Sequence, residues 1–146
     1  MKRSILLSFS IAITVNAYAQ QNANSLNPAN IIVAARPDVQ WDISTFVEGD
    51  FNDDGKKDYA IIGYKGAGIV LAVRTTSAQR GESSKTQYLP FDINPSMQAA
   101  ICEKPATLHV EKQVCSPIDE PLPGCKPSNT ANSLNLIGGA CDPIRL

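Results

Sequence analysis

The middle of the chain shows the alternation of apolar and polar side chains that is typical of β-strands. Over residues 41–48, Trp, Ile, Thr and Val occupy the odd positions and mostly polar residues the even ones, which predicts a strand with at least one buried face. Residues 60–62 and 69–73 are apolar on both faces, and a Gly-containing loop separates them. This pattern predicts a β-hairpin whose two strands form the centre of a sheet.

Further strands are predicted in the second half of the chain. Residues 86–91 are interpreted as an edge strand, because Pro90 has no N–H to donate to a neighbouring strand. Weaker alternation predicts strands at 108–114 and 133–137, and the last residues, from 143, begin another.

Short helices are predicted beside the strands. Asn27 suits the N-cap and Pro28 the first position of a helix that would end before Pro37. A short strand over residues 31–33 is the competing interpretation of the same segment. A second short helix is predicted over residues 97–102.

Together these elements predict a mainly β protein, with an α+β arrangement as the alternative. We expect a small antiparallel sheet or sandwich, one or two short helices and a disulfide-linked C-terminal part. Residues 27–146 would form a single small β-rich domain, and the polar residues 20–26 a flexible leader before it.

The N-terminus has the three parts of a Sec-type secretory signal. Lys2 and Arg3 are basic, residues 5–15 are mostly apolar, and residues 17–19 form a small-x-small cleavage pattern. The apolar run is too short to span a bilayer. Residues 1–19 are therefore predicted to be a signal peptide, and the protein to be periplasmic or extracellular with no membrane span after cleavage.

Charge gives little guidance to a partner. The net charge of the whole chain is −1. The only charged residues that leave with the signal are basic, so the mature chain is slightly more acidic. No basic patch is present, so a nucleic-acid partner is not expected. We predict instead a protein or cell-envelope ligand.

All four cysteines lie in the last third of the chain. Their even number in an exported protein predicts two disulfides, and three pairings are possible. The pairing of sequence neighbours is favoured because it closes the shortest loops, whereas a zinc site is disfavoured because no Cys-x-x-Cys pair occurs. The cysteines are Cys102, Cys115, Cys125 and Cys141, so the favoured bridges are Cys102–Cys115 and Cys125–Cys141.

Residues 50–58 carry oxygen-bearing side chains at a spacing that suits a calcium ion. Acids or Asn occupy the first, third, fifth and ninth positions, and Gly at the sixth permits a sharp bend. A solvated Asn/Asp/Gly turn is the alternative, but a turn does not require acids at all these positions. Carboxylates packed in one loop also repel one another unless a cation offsets them. The predicted Ca²⁺ ligands are the side chains of Asp50, Asn52, Asp54 and Asp58 and the backbone carbonyl of Lys56.

The loop differs from an EF-hand, since strand-like segments flank it and Ile61 stands where an EF-hand has its Glu. Residues 49–60, with the sequence GDFNDDGKKDYA, resemble the calcium loop of FG-GAP and VCBS repeats, known from integrin-type β-propellers and secreted bacterial proteins. The resemblance implies a Ca²⁺-wrapping loop between two antiparallel strands. It is confined to this segment, and one copy cannot supply the several blades of a propeller.

The chain also resembles small exported bacterial proteins that carry one such calcium loop and continue further with aromatic residues. This resemblance implies that a chain ending at Leu146 is a truncated or frameshifted member of that group.

Three functions remain open from the sequence. The first is an exported, calcium-stabilised, non-enzymatic binding or structural module. The second is a periplasmic inhibitor or immunity protein that acts on one target enzyme. The third is a hydrolase, for which His109 is the only histidine and no Gly-x-Ser-x-Gly motif occurs. No catalytic residue is predicted.

Overall fold

Seven strands and one helix make up the described part of the chain. The structure is a computed structural model that describes residues 27–77, 81, 83–94, 101–116 and 123–146. The helix is α1 (Pro28–Ala35), and the strands are β1 (Gln40–Gly49), β2 (Asp58–Lys65), β3 (Gly68–Thr75), β4 (Lys85–Phe91), β5 (Ala106–Lys112), β6 (Asn132–Gly138) and β7 (Ile144–Arg145). The signal peptide and the leader were predicted on residues outside this part.

Helix α1 forms as its capping residues predict, and the strand alternative for residues 31–33 is wrong. The Asn27 side chain accepts a hydrogen bond from the Ala29 N–H at 3.0 Å, and Pro28 occupies the first turn. Ile32 is completely buried. The helix is thus anchored by its one fully buried large side chain.

The first sheet is antiparallel, with the strand order β1-β2-β3-β4. The predicted hairpin is β2 and β3, paired from Tyr59 with Arg74 to Lys65 with Gly68. Strand β4 lies at the edge, as the proline in it predicted, and Pro90 is paired with Val70.

Strand β1 departs from the alternation read in the sequence. Its register with β2 shifts between Asp42 and Val47, which is a bulge. Within the bulge the Thr45 hydroxyl oxygen accepts the Ile62 N–H at 2.9 Å. The pattern placed Ile43 on a buried face, but Ile43 lies within the stretch where the register shifts, and 56% of it is exposed.

The second sheet has the order β5-β6-β7 and packs on one face of the first. The main core lies between them and joins Ile62 and Leu71 with Leu108, Leu134 and Leu136. Burial of each such side chain contributes about 1.5–3 kcal/mol. On the opposite face of the first sheet, Ile32 of α1 packs with Ile61 and Ala72 in a smaller cluster. The predicted mainly β sandwich with a short helix is therefore confirmed.

Two disulfides link the C-terminal part, but the favoured pairing of sequence neighbours is wrong. The bridges are Cys102–Cys141 and Cys115–Cys125, with Cα atoms 5.7 and 5.5 Å apart. The antiparallel pairing of β5 with β6 brings Ala106 opposite Gly138, so the residues just outside that end of the hairpin meet. The Cys102 N–H also donates to the Gly138 carbonyl at 3.0 Å.

The second predicted helix, over residues 97–102, falls mostly on residues outside the described part. Of its described end, Ile101 forms a parallel bridge with Ile93. Within the described ranges, no helix has the length and apolar character needed to cross a membrane.

Candidate metal site

The predicted calcium loop connects the end of β1 with the start of β2, where Gly49 is paired with Asp58. Two of its residues have a positive φ, Asp53 at 58° and Gly55 at 76°. Glycine adopts this conformation without cost, but a residue with a side chain needs support from its surroundings. The flanking strands are antiparallel, as the resemblance implied.

Asp50 opens the loop and is almost fully buried, with 6% of its surface exposed. Its carboxylate accepts the N–H groups of Asp54 at 3.1 Å and Gly55 at 2.9 Å. Burial raises the pKa of this carboxyl, but hydrogen bonds from the Thr130 hydroxyl and from loop amides outweigh burial, so the net pKa lies below its ordinary value.

Asn52 and Asp54 continue the same turn. The Asn52 Oδ1 atom accepts the Asp54 N–H at 3.2 Å, which places it beside the Asp50 carboxylate. The Asp54 Oδ1 atom accepts the Lys56 N–H at 2.9 Å. The Lys56 ammonium group donates to the Ser77 carbonyl at 2.7 Å.

Asp58 closes the loop and has no exposed surface. Its Oδ2 atom accepts the Phe51 N–H at 2.9 Å, and its Oδ1 atom accepts the Thr76 N–H at 2.8 Å and the Thr76 hydroxyl at 3.1 Å. This carboxylate therefore ties the loop to the end of β3.

The structure brings only part of the predicted ligand set together. The oxygens of Asp50 and Asn52 share one N–H, whereas the oxygens of Asp58 are engaged by Phe51 and Thr76. Over the described ranges, no three His, Cys, Asp or Glu side chains form a group that could hold a metal ion.

Two carboxylates of the predicted ligand set, those of Asp50 and Asp58, are nevertheless buried. The ion pairs seen among the described residues involve only Asp38 and Glu48 on the acidic side, and not Asp50 or Asp58. Among the described residues, hydrogen bonds but no ion pair reach the carboxylates of Asp50 and Asp58, although a buried charge is costly without a partner of opposite sign. Carboxylate and amide oxygens are also the ligands that Ca²⁺ prefers.

Residues from the second half of the chain complete the surroundings of the loop, and no pattern in the sequence indicates them. The hydroxyls of Ser128 and Thr130 donate to the Asp53 carboxylate. The Asp50 N–H donates to the Asn132 side-chain oxygen at 2.9 Å. The spacing rule selects alternate positions and therefore leaves out Asp53, and contacts with residues more than seventy positions away leave no local pattern.

His109, the candidate for a hydrolytic site, is exposed on β5. It lines an open cleft of about 360 Å³ together with Asp42 and Ser44 of β1. The Ser44 hydroxyl donates to the Asp42 carboxylate at 2.6 Å. A catalytic triad needs the serine hydroxyl to donate to the imidazole, so this serine is not activated as a nucleophile in the observed arrangement.

A scan against protein-family models, a search of the curated proteins and a search of the solved structures found nothing that matches this chain. The resemblance of the loop to FG-GAP and VCBS repeats therefore stays a prediction.

Proposed function

We propose that the protein is an exported, calcium-stabilised binding or structural module without enzymatic activity. The ion would be held by the oxygens of the predicted set, Asp50, Asn52, Asp54, Lys56 and Asp58. The observation that carries the proposal is the burial of two carboxylates, those of Asp50 and Asp58, that form no ion pair within the described residues. Ca²⁺ would supply the positive charge that this part of the loop lacks.

The expected role of the ion is to stabilise the fold. The loop joins β1 to β2, and through the Asp58 carboxylate it also reaches the end of β3. An ion that binds only the folded chain raises the free energy of unfolding by RT ln(1 + [L]/Kd). With millimolar calcium outside the cytoplasm and a Kd near 10⁻⁵ M, the gain is about 2–3 kcal/mol.

An exported location agrees with the cysteine chemistry. All four cysteines are paired in disulfides, and disulfides persist in oxidising compartments. The predicted signal peptide would direct the chain there, where calcium is abundant. The binding partner that we propose is a protein or a cell-envelope ligand.

Calorimetric titration of the mature protein with Ca²⁺ tests the proposal. We expect one site with a Kd on the order of 10⁻⁵ to 10⁻³ M, the range of extracellular calcium modules, and weaker binding of Mg²⁺. Asp50→Asn should abolish the heat of binding, because it removes a buried ligand charge while keeping the shape of the side chain. Asp92→Asn, which changes an exposed acid outside the loop, is the matched control. Equal heats from the Asp50 variant and the wild type would refute the calcium site.

A further inference from the structure

The segment from Ser128 to Asn132 lies directly against the candidate calcium loop. The Asn132 N–H donates to the Asp50 carbonyl at 2.7 Å, and the Asp50 N–H donates to the Asn132 Oδ1 atom at 2.9 Å. The other end of the same side chain donates from Nδ2 to the Glu111 carbonyl at 3.4 Å. One asparagine thus connects the loop with both β5 and β6.

Two hydroxyl groups add a second set of contacts. Ser128 Oγ and Thr130 Oγ1 both donate to the Asp53 Oδ1 atom. The Ser128 oxygen itself accepts the N–H groups of Thr130 at 3.1 Å and Ala131 at 3.0 Å, which fixes its direction. We call the contacts of Asp50 and Asp53 with Ser128, Thr130 and Asn132 the clasp.

The clasp is attached to the centre of the second sheet. Asn132 is the first residue of β6, the middle strand, whose residues Leu134 and Leu136 fill the core between the sheets. The Gln113 N–H also donates to the Ala131 carbonyl at 3.1 Å, next to the Cys115–Cys125 bridge. The conformation of the loop is thereby linked to the position of the disulfide-linked sheet.

Asp50 belongs to both parts of this arrangement. Its carboxylate organises the loop, while its peptide N–H and C=O groups hold Asn132. Asp53, the intervening residue that the spacing leaves out of the ligand set, directs its carboxylate to the hydroxyls and has a positive φ of 58°. A change in how tightly the loop is held therefore acts on both ends of the clasp.

We propose that a Ca²⁺ ion in the loop closes the clasp and so controls how firmly the second sheet is held on the first. Asp53, Ser128, Thr130 and Asn132 would be positioning residues for the ion. This inference rests on the proposed calcium site. Without the ion, repulsion among the loop carboxylates would loosen the turn, and the hydrogen bonds to the segment 128–132 would open with it.

Hydrogen exchange followed by mass spectrometry, on the mature protein with Ca²⁺ or with chelator, tests the inference. In the wild type we expect the backbone amides of both β2 and β6 to exchange about tenfold more slowly with calcium than with chelator. The reason is that local opening of the fold controls the exchange rate. The double variant Ser128→Ala with Thr130→Val should keep the effect in β2 and lose it in β6. Its calcium affinity should fall about tenfold, the size expected for hydrogen bonds to a charged group.

Thr107→Val is the control, because Thr107 is paired with Ile137 at the opposite end of the β5–β6 hairpin from Asn132. Thr130→Ser keeps the hydroxyl and should behave like the wild type. It tests the role of this hydroxyl even if the double variant fails to fold. If calcium binds and slows exchange in β2 but leaves β6 unchanged, the clasp inference is overturned and the calcium module survives. If calorimetric titration of the wild type with Ca²⁺ gave no heat of binding, both the clasp inference and the proposed calcium module would be overturned.

Discussion

The carboxylate Oδ1 of Asp58 and the main-chain nitrogen of Thr76 lie 2.8 Å apart, although the two residues are eighteen positions apart in the chain. Asp58 begins β2, and Thr76 directly follows β3. The same carboxylate accepts the Phe51 N–H at the start of the loop. Through these hydrogen bonds Asp58 connects the start of the loop, the start of β2 and the end of β3. This structural contribution can be separated experimentally from calcium binding.

Asp58→Ala should destabilise the protein even in chelator. The substitution leaves the N–H groups of Phe51 and Thr76 without their acceptor, and each buried group left unpaired costs about 1–3 kcal/mol. We expect a loss of roughly 2–4 kcal/mol in the free energy of unfolding, measured by denaturant titration with chelator present. Asp92→Ala, at an exposed position, should lose little. A variant as stable as the wild type under these conditions would contradict this role.

The strands of the first sheet could be predicted because their residues alternate or are apolar over several positions, and the hairpin of β2 and β3 needs only local pairing. The exposure of Ile43 could not be predicted, because it lies where the register of β1 against β2 shifts, and such a shift leaves no mark in the alternation of residues. The candidate ligands of the loop could be predicted because they recur at a regular spacing in residues 50–58. The role of the segment 128–132 could not be predicted, since its contacts with Asp53 join distant parts of the chain.

The predicted disulfide pairing is wrong for the same physical reason, since the observed pairing depends on contacts between distant parts of the chain. Short loops were favoured on chain entropy alone. The hairpin of β5 and β6 places Cys102 beside Cys141 at one end, and this geometry overrides the preference for neighbours.

Gly63→Ala should disturb the face of the first sheet that carries the helix. A Cβ atom at this position would contact Val39 Cγ1 and lie 2.7 Å from Trp41 Cε3, closer than packed carbon atoms can approach. The indole is further fixed by a hydrogen bond from its N–H to the Arg36 carbonyl at 3.0 Å. We expect a loss of about 1–3 kcal/mol, the usual cost of overpacking. A change in the fluorescence of Trp41, the chain's single tryptophan, should accompany it; unchanged emission and stability would show that the indole moves aside freely.

Asp38→Asn should lower the melting temperature at neutral pH, and the difference should vanish in strong acid. Hydrogen bonds from Arg36 and then Lys65 hold the pKa of the Asp38 carboxyl well below its ordinary value. A carboxyl whose pKa is lowered in the folded state stabilises the fold above its unfolded pKa and loses that contribution as the pH falls through the folded value.

Melting temperatures of Asp38→Asn and the wild type across an acid pH series check this prediction. Because the carboxylate is exposed to solvent, added salt should also reduce the difference at neutral pH. Asp92→Asn serves as the control for a general change in charge. A difference between Asp38→Asn and the wild type that does not depend on pH would show that the ion pairs with Arg36 and Lys65 do not stabilise the fold.

The two disulfides should contribute unequally to stability. Cys102–Cys141 closes a loop across 39 residues and Cys115–Cys125 one across 10. Restriction of the unfolded chain grows with loop length, so replacing the first pair by serines should cost about 4 kcal/mol and the second about 3 kcal/mol. Non-reducing peptide mapping of the wild type must first recover these two bridges, and recovery of a Cys102–Cys115 peptide would contradict the observed pairing.

Denaturant titration of the two double variants then measures the difference between the bridges. The variant lacking Cys102 and Cys141 should unfold at the lower denaturant concentration, since that bridge also joins the outer ends of β5 and β6, where Ala106 and Gly138 are paired. Loss of the Cys115–Cys125 bridge should act nearer the segment 128–132 and lower calcium affinity as well, because Gln113 and Ala131 are hydrogen-bonded beside it. If calcium affinity fell only in the Cys102–Cys141 variant, the coupling of the loop to the second sheet would have to run through the other end of the hairpin.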